Sequence, residues 1–227
     1  MHHYRLHNDP LSSHQQIANY VRQLKHGPIL DVGSAQGMFG QLLQGSGFEI
    51  DAVEPHPDWA RSARPFYREM FCATIEQAPL PEKRYNVVVC ADVLEHTVDP
   101  VAVLTRLRAC ATNNATFIIS VPNVAHLAVR MMLLFGYFPK MERGVLDRTH
   151  LHFFTRKTLT DMLGRAGLTV DKRMATVAPL HEIWPRGEGT LPFRGVWHAQ
   201  HLALKLIPGL FAYQWVIAAR PSPDAGT

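Results

Sequence analysis

The sequence predicts an α/β fold: a mostly parallel sheet, helices on both faces, and an antiparallel pairing at its end. Three observations carry this expectation. Segments with helical apolar spacing alternate with short apolar runs, as in strands joined by crossover helices. Runs such as "NVVVCADV" and "ATFIISVPN" are almost wholly apolar, which suits strands buried on both faces. The last two strand-like stretches, "LTVDKRMATVAP" and "AYQWVIAARP", show no regular crossover helix between them and are expected to pair antiparallel.

Each element can be justified in order. "HQQIANYVRQL" sets Ile17, Tyr20, Val21 and Leu24 on one face, so a helix precedes the first strand, "ILDVG". "MFGQLLQGSG" reads as a helix closing near Gly45 or Gly47, and "FEIDAVEP" as the second strand. "PDWARSARPFY" is helical until Pro65 ends or bends it, since proline has no N–H to donate. The strand "NVVVCADV" leads into "DPVAVLTRLRACA", where Asp99 is placed as N-cap and Pro100 as the first helical residue. "ATFIISVPN" is the next strand, "VAHLAVRMMLLFG" is helical, and Thr155 caps a helix running to Gly167. An insertion at about 180–210 separates the last two strands. No repeat or low-complexity linker marks a boundary, so one domain over 1–227 is expected.

Composition narrows the function classes. A chain of 227 residues with 47% hydrophobic content can bury a substantial core. The net charge of +4 is modest and its basic residues are scattered, which gives no reason to expect nucleic acid as a partner. Cys72, Cys90 and Cys110 form no C-x-x-C pair, and their odd number argues for a reducing compartment. "MHHYRLHNDP" has no apolar signal core, and "FIISV" and "MMLLF" are too short to span a bilayer. The expectation is a soluble, cytoplasmic protein with no membrane span, its oligomeric state unread. His2, His3, His7 and His14 read as solvated rather than ligating, and "WHAQHLALKLIPGLF" has helical spacing but few cations for a membrane-surface helix.

The stretch "LDVGSAQGMFG" carries the functional signal. Gly33 and Gly37 flank the small Ala35, so backbone N–H groups can approach a ligand closely where a helix begins. A dinucleotide loop wants G-x-G-x-x-G, and Met38 stands where its third glycine would fall. A phosphate-binding P-loop is excluded because no Lys-Ser or Lys-Thr follows. Glu54, at the end of the second strand, offers two acceptor oxygens to a ribose diol, a feature of both nicotinamide and S-adenosylmethionine sites; the plain alternative is a polar strand end.

Taken in order, "ILDVGSAQG", "VEP", "YNVVVCADVLEHTVDP", "SVPNVAHL" and "LDRTHLHFFTRKTL" resemble the class I S-adenosylmethionine-dependent methyltransferases, especially small bacterial enzymes with an L-D-x-x-H-L-x-F-F-T segment. The similarity covers roughly residues 15 to 178 and resumes at the last strand. It implies a Rossmann-like, seven-stranded sheet with an antiparallel last strand and S-adenosyl-L-methionine as cofactor. It further implies that Asp31, Gly33, Ser34, Ala35 and Gly37 wrap the methionine part and that Glu54 holds the ribose. Relatives often carry glycine at the Ala35 position, where alanine still fits. Thr74 stands where relatives carry an aspartate facing adenine, with backbone groups near Ile75, or Glu76, as substitutes. Asp92, Glu95 and His96 would border the sulfonium and the acceptor.

Methyl transfer is an in-line displacement with an activated leaving group, so alignment is the main demand. A base is needed only for an acceptor hydroxyl that must lose a proton. His150 is the first candidate, with Asp147 three residues earlier to orient it; His96 is the second. A packing role for His150 is the bland alternative. The pair His150 and His152 invites a metal reading, but no cysteine or acid lies at ligand spacing, so no metal is expected. Relatives commonly carry arginine at the position of His152. The expected activity is O-methylation of a small hydroxylated metabolite or sugar, a small-molecule acceptor. The alternatives are a methyltransferase-like binding protein without catalysis and a nicotinamide-dependent oxidoreductase.

Overall fold

A computed structural model describes residues 10–24 and 27–223; the expectations for His2, His3 and His7 lie outside the described residues. The strands β1 (Ile29–Val32), β2 (Ile50–Val53), β3 (Glu69–Phe71), β4 (Tyr85–Ala91), β5 (Ala111–Pro122), β6 (Leu168–Ala175) and β7 (Gln214–Pro221) form a 7-stranded sheet in the order β3-β2-β1-β4-β5-β7-β6. Pairing is parallel from β3 across to β5, and β7 runs antiparallel to both its neighbours, β5 and β6. The sheet is therefore the expected Rossmann-like arrangement with its last strand reversed. The strand order turns around between β1 and β4, and the crevice over their carboxyl ends is where open α/β sheets bind ligands.

Strand alternation explains how the two faces are filled. Ile29, Ala52, Val87 and Val89 pack with Ile17 and Val21 of α1 (Ser13–Val21) and Phe39 of α2 (Met38–Leu42). Leu30, Val32, Val88 and Cys90 point the other way, onto Leu104 and Leu107 of α4 (Pro100–Cys110) and Leu159 and Leu163 of α6 (Arg156–Arg165). Burying such branched side chains contributes about 1.5–3 kcal/mol each. Two caps form as read from the sequence: Asp99 Oδ1 accepts the Val101 and Ala102 N–H groups, and Thr155 with Thr158 forms a capping box.

Two elements depart from the reading, and the helix before Pro65 follows it. α2 ends at Leu42, and turns with positive φ at Gly45 and Gly47 finish the segment. α3 (Pro57–Ala63) stops at the residue before Arg64, and Pro65 sits inside a 3-10 turn, Arg64–Phe66, so the proline bends the chain. The insertion is more regular than expected. It carries α7 (Leu180–Ile183), the 16-residue α8 (Leu191–Leu206) and α9 (Pro208–Phe211). Phe193 and Leu204 of α8 are buried while Leu191, Leu202 and Leu206 are exposed, so no sharp apolar stripe announced its full length. Another helix, α5 (Leu127–Leu134), follows β5 behind a His126 cap.

Candidate active site at the β1 and β4 switch point

The loop after β1 is shaped by backbone that few residues tolerate. Gly33 (φ 70), Ala35 (φ 47) and Gly37 (φ 85) are all left-handed, a conformation that costs an L side chain roughly 1–2 kcal/mol. Two bonds from Glu54 hold the turn: its Oε2 accepts the Ala35 N–H at 2.7 Å and its Oε1 the His56 N–H at 2.9 Å. Glu54 is therefore both strand end and loop brace. Each oxygen keeps a further lone pair, which is what a ribose diol needs. Ser34 Oγ is buried in the same turn, close enough to the Tyr67 hydroxyl to favour its charged form. A small-residue loop and an acceptor-only carboxylate suit an adenosyl ligand with an amino-acid tail.

Asp31 has a partner that the sequence did not show. Its Oδ2 accepts the Tyr67 hydroxyl at 2.6 Å, and the Tyr67 oxygen in turn accepts the Gly40 N–H at 3.1 Å. Asp31 thus braces α2 from beneath the loop. Burial pushes its carboxyl up to about 7; the Tyr67 hydrogen bond offsets this in part and the Glu54 charge adds to it. A folded-state value above the unfolded one means that the folded chain holds this proton longer. The contribution of Asp31 to stability is therefore greatest at low pH and declines as pH rises from about 4 to about 7, by about 1–4 kcal/mol. Urea unfolding at pH 5 and pH 8 checks this. Asp31→Asn should shrink the loss of stability at pH 8, and a variant with the wild-type pH dependence would show that Asp31 ionises normally.

Beyond β3, the turn at 74–78 is clamped by Arg106 of α4, whose Nε donates to the Ile75 carbonyl (2.8 Å) and Nη2 to the Ala78 carbonyl (2.7 Å). Thr74 is exposed and Ile75 buried, so a contact to adenine is left to the Thr74 side chain or to backbone N–H groups.

Beyond β4, Asp92 also takes a left-handed turn (φ 56). Its Oδ1 accepts the Ser120 hydroxyl and its Oδ2 the Gln214 amide, both at 2.8 Å, which ties β4 to β5 and β7. Glu95 is fully buried on a 3-10 turn, and among the described residues no other residue donates a hydrogen bond to either carboxylate oxygen. Burial, reinforced by the Asp92 charge, holds its carboxyl well above the usual carboxylate range. The Glu95 carbonyl accepts the Leu151 and His152 N–H groups at 2.7 and 3.1 Å, and so fastens the "LDRTHLHFF" segment onto the cofactor side.

That fastening brings the two candidate histidines together. The His96 and His150 rings meet edge to face, with centroids 4.8 Å apart. His150 Nδ1 lies 3.2 Å from the Val145 carbonyl, and burial first, then His96, lowers its pKa. Asp147 does not orient His150 as expected. Its Oδ1 accepts from Thr149 Oγ1 (2.7 Å) and Thr149 N–H (2.8 Å), and Thr149 contacts His96 Nδ1 at 3.2 Å. The Asp147 and His150 charges still feel one another, but none of the described hydrogen bonds joins them. His152 likewise leaves the pair: its Nε2 lies 3.2 Å from the Val98 carbonyl and its ring stacks on Phe154.

Sequence reasoning missed Tyr67, Ser120, Gln214, Arg106 and Thr149. No local motif marks them, because Tyr67 and Gln214 meet their partners across 36 and 122 residues. Also missed was a cavity of about 1160 Å³ lined by Val129, Met132, Leu146, Phe193, Trp197 and Tyr213, with His126, Arg143, His181 and Glu188 as polar lining. It adjoins the histidine pair through Val145, which lines the cavity and whose carbonyl meets His150. Among the described residues, no helix is long and apolar enough to cross a membrane.

Comparison with known proteins agrees with this geometry. The family described as "Methyltransferase domain" matches residues 2–173. Two ubiquinone biosynthesis O-methyltransferases are similar at 28% identity: that of Rickettsia akari over 54% of this chain and 53% of its own, and that of Aeromonas salmonicida over 70% and 71%. The chain thus spans about half the length of the first relative. The 1,6-didemethyltoxoflavin-N1-methyltransferase of Burkholderia thailandensis, solved with its substrate and S-adenosylhomocysteine, shares the fold with a TM-score of 0.61 at 16% identity, over 93% of this chain and 79% of that one.

Proposed function

Because the chain belongs to the methyltransferase domain family and its cofactor is S-adenosylmethionine, we propose that it methylates a hydroxyl oxygen of a small metabolite with an apolar body. The observation that carries this reading is the apolar cavity beside His150. Its aliphatic and aromatic lining suits a hydrophobic acceptor better than the sugar also considered from sequence. The names of the two relatives support oxygen as the accepting atom. Cytoplasmic residence is part of the same proposal and is supported by the free Cys72, Cys90 and Cys110.

The bound cofactor would supply a methyl group on a positively charged sulfur, already activated for displacement. Gly33, Ser34, Ala35 and Gly37 would take its amino-acid tail and Glu54 its ribose, with Asp31 bracing from below. Thr74 and Ile75 would flank the adenine, and Asp92 and Glu95 the sulfonium side. His150 takes the acceptor proton. Its lowered pKa keeps the ring neutral at neutral pH, so kcat/KM should stay level through neutrality and fall only on the acid side.

The test is transfer of labelled methyl to an acceptor panel. Alkyl-substituted phenols should receive label on oxygen with kcat/KM at least roughly tenfold above free sugars, the scale of a few buried methylenes. Label appearing only on nitrogen or carbon would overturn the oxygen reading. Cofactor binding with no transfer to any acceptor would instead identify a binding protein that has lost catalysis.

A further inference from the structure

We propose that Glu95, His96 and His150 form a site for one divalent first-row transition ion on the acceptor side of the methyl-transfer centre. The proposal rests on the reading above, since it places the ion where the acceptor hydroxyl must sit. Each of the three residues offers a ligand atom, and these atoms lie within 4.8 Å of one another. Two imidazoles and one carboxylate are a donor set for zinc and its neighbours, whereas magnesium and calcium prefer oxygen alone.

Two further observations point to a ligand. Both Glu95 oxygens are buried, and among the described residues no residue other than Glu95's own backbone offers them a hydrogen-bond donor, so a cation is the partner that such a carboxylate lacks. The histidine tautomers are also set for coordination. A carbonyl can only accept, so His150 Nδ1 must carry a proton toward Val145, and His96 Nδ1 one toward the Thr149 carbonyl at 3.3 Å. That leaves the Nε2 lone pair of each ring free, and none of the described hydrogen bonds uses it. Anchoring one ring nitrogen on a carbonyl while the other binds is the usual arrangement around metal-bound histidine. The H-x-H pair suggested by sequence does not form; His96, 54 positions before His150, takes the place of His152 in the cluster.

Three protein ligands leave a coordination position open, as in catalytic rather than structural sites. An acceptor hydroxyl placed there would lose its proton to water more readily than when free. The resulting oxygen attacks the methyl carbon, and the carbon–sulfur bond breaks to leave S-adenosylhomocysteine. In the ion-free enzyme His150 receives that proton.

Cobalt(II) titration of chelator-treated protein tests the site by its visible d–d absorption, without reference to activity. One equivalent should bind with saturating bands. His96→Ala, at an exposed position, should weaken binding at least roughly 100-fold, and Thr149→Val about 10-fold, because it removes the hydroxyl that lies 3.2 Å from His96 Nδ1 while leaving the carbonyl in place. Absence of cobalt bands in the wild type, or an unchanged titration in His96→Ala, overturns the proposal. S-adenosylhomocysteine is titrated into the same chelated protein. If it binds while cobalt does not, the ion proposal alone fails; if neither binds, the reading beneath it fails as well.

Discussion

In His150→Ala, assayed with a chelator present, turnover at neutral pH should fall roughly 10²- to 10⁴-fold, the range for losing a positioned proton acceptor. Affinity for S-adenosylmethionine should stay unchanged. His150 sits against Val145 on the cavity side, and none of its described hydrogen bonds or ring contacts goes to the glycine loop, so removing its ring should leave cofactor binding intact. The remaining activity should rise with pH more steeply than in the wild type, because hydroxide or an already ionised acceptor must replace the ring. His96→Ala should behave differently, since His96 belongs to the same 3-10 turn as Glu95 and its loss should disturb cofactor affinity as well as rate. Single-turnover rates across pH separate the two. A His150→Ala enzyme with a wild-type rate would mean that the segment only shapes the pocket and that alignment alone drives transfer.

Gly33→Val should abolish cofactor binding, with affinity reduced more than roughly 100-fold through the strain of a β-branched residue at positive φ. A Cβ at Gly33 would lie 2.6 Å from Val93 Cγ2, next to Asp92, so the turn after β4 must give way along with the loop after β1. The substitution should therefore also lower stability, a cost the sequence did not reveal. Glu54→Gln is the milder companion. An amide keeps one acceptor oxygen but turns its NH2 toward the N–H of Ala35 or His56, and binding should weaken by about 1–3 kcal/mol. Calorimetry with S-adenosylmethionine reads both variants. Unchanged affinity in a folded Gly33→Val protein would remove the loop from the cofactor site.

The parts of the molecule legible in sequence were those written in local pattern. β4 and the 117–121 part of β5 are buried on both faces and so are mostly apolar, and Asp99 and Thr155 cap by contacts within their own turns. β3 is three residues at the sheet edge with exposed Glu69, too short to show either alternation or a buried run. The glycine loop was legible because backbone geometry itself demands small residues there. The brace on Asp31 was not legible because its partner, Tyr67, comes from a different segment. The Glu95, His96 and His150 cluster was invisible for the same reason. It exists only because the Glu95 carbonyl accepts N–H groups from residues 151 and 152, a long-range closure that residue spacing cannot encode.

The central claim is that the β1 and β4 crevice binds an adenosyl sulfonium cofactor through the glycine loop and Glu54. Calorimetric titration of the unliganded chain with S-adenosylhomocysteine and, separately, with NAD tests it most directly. The expected result is one S-adenosylhomocysteine per chain, weakened in Glu54→Gln, and no measurable NAD binding. NAD bound at that site with S-adenosylhomocysteine excluded would contradict it.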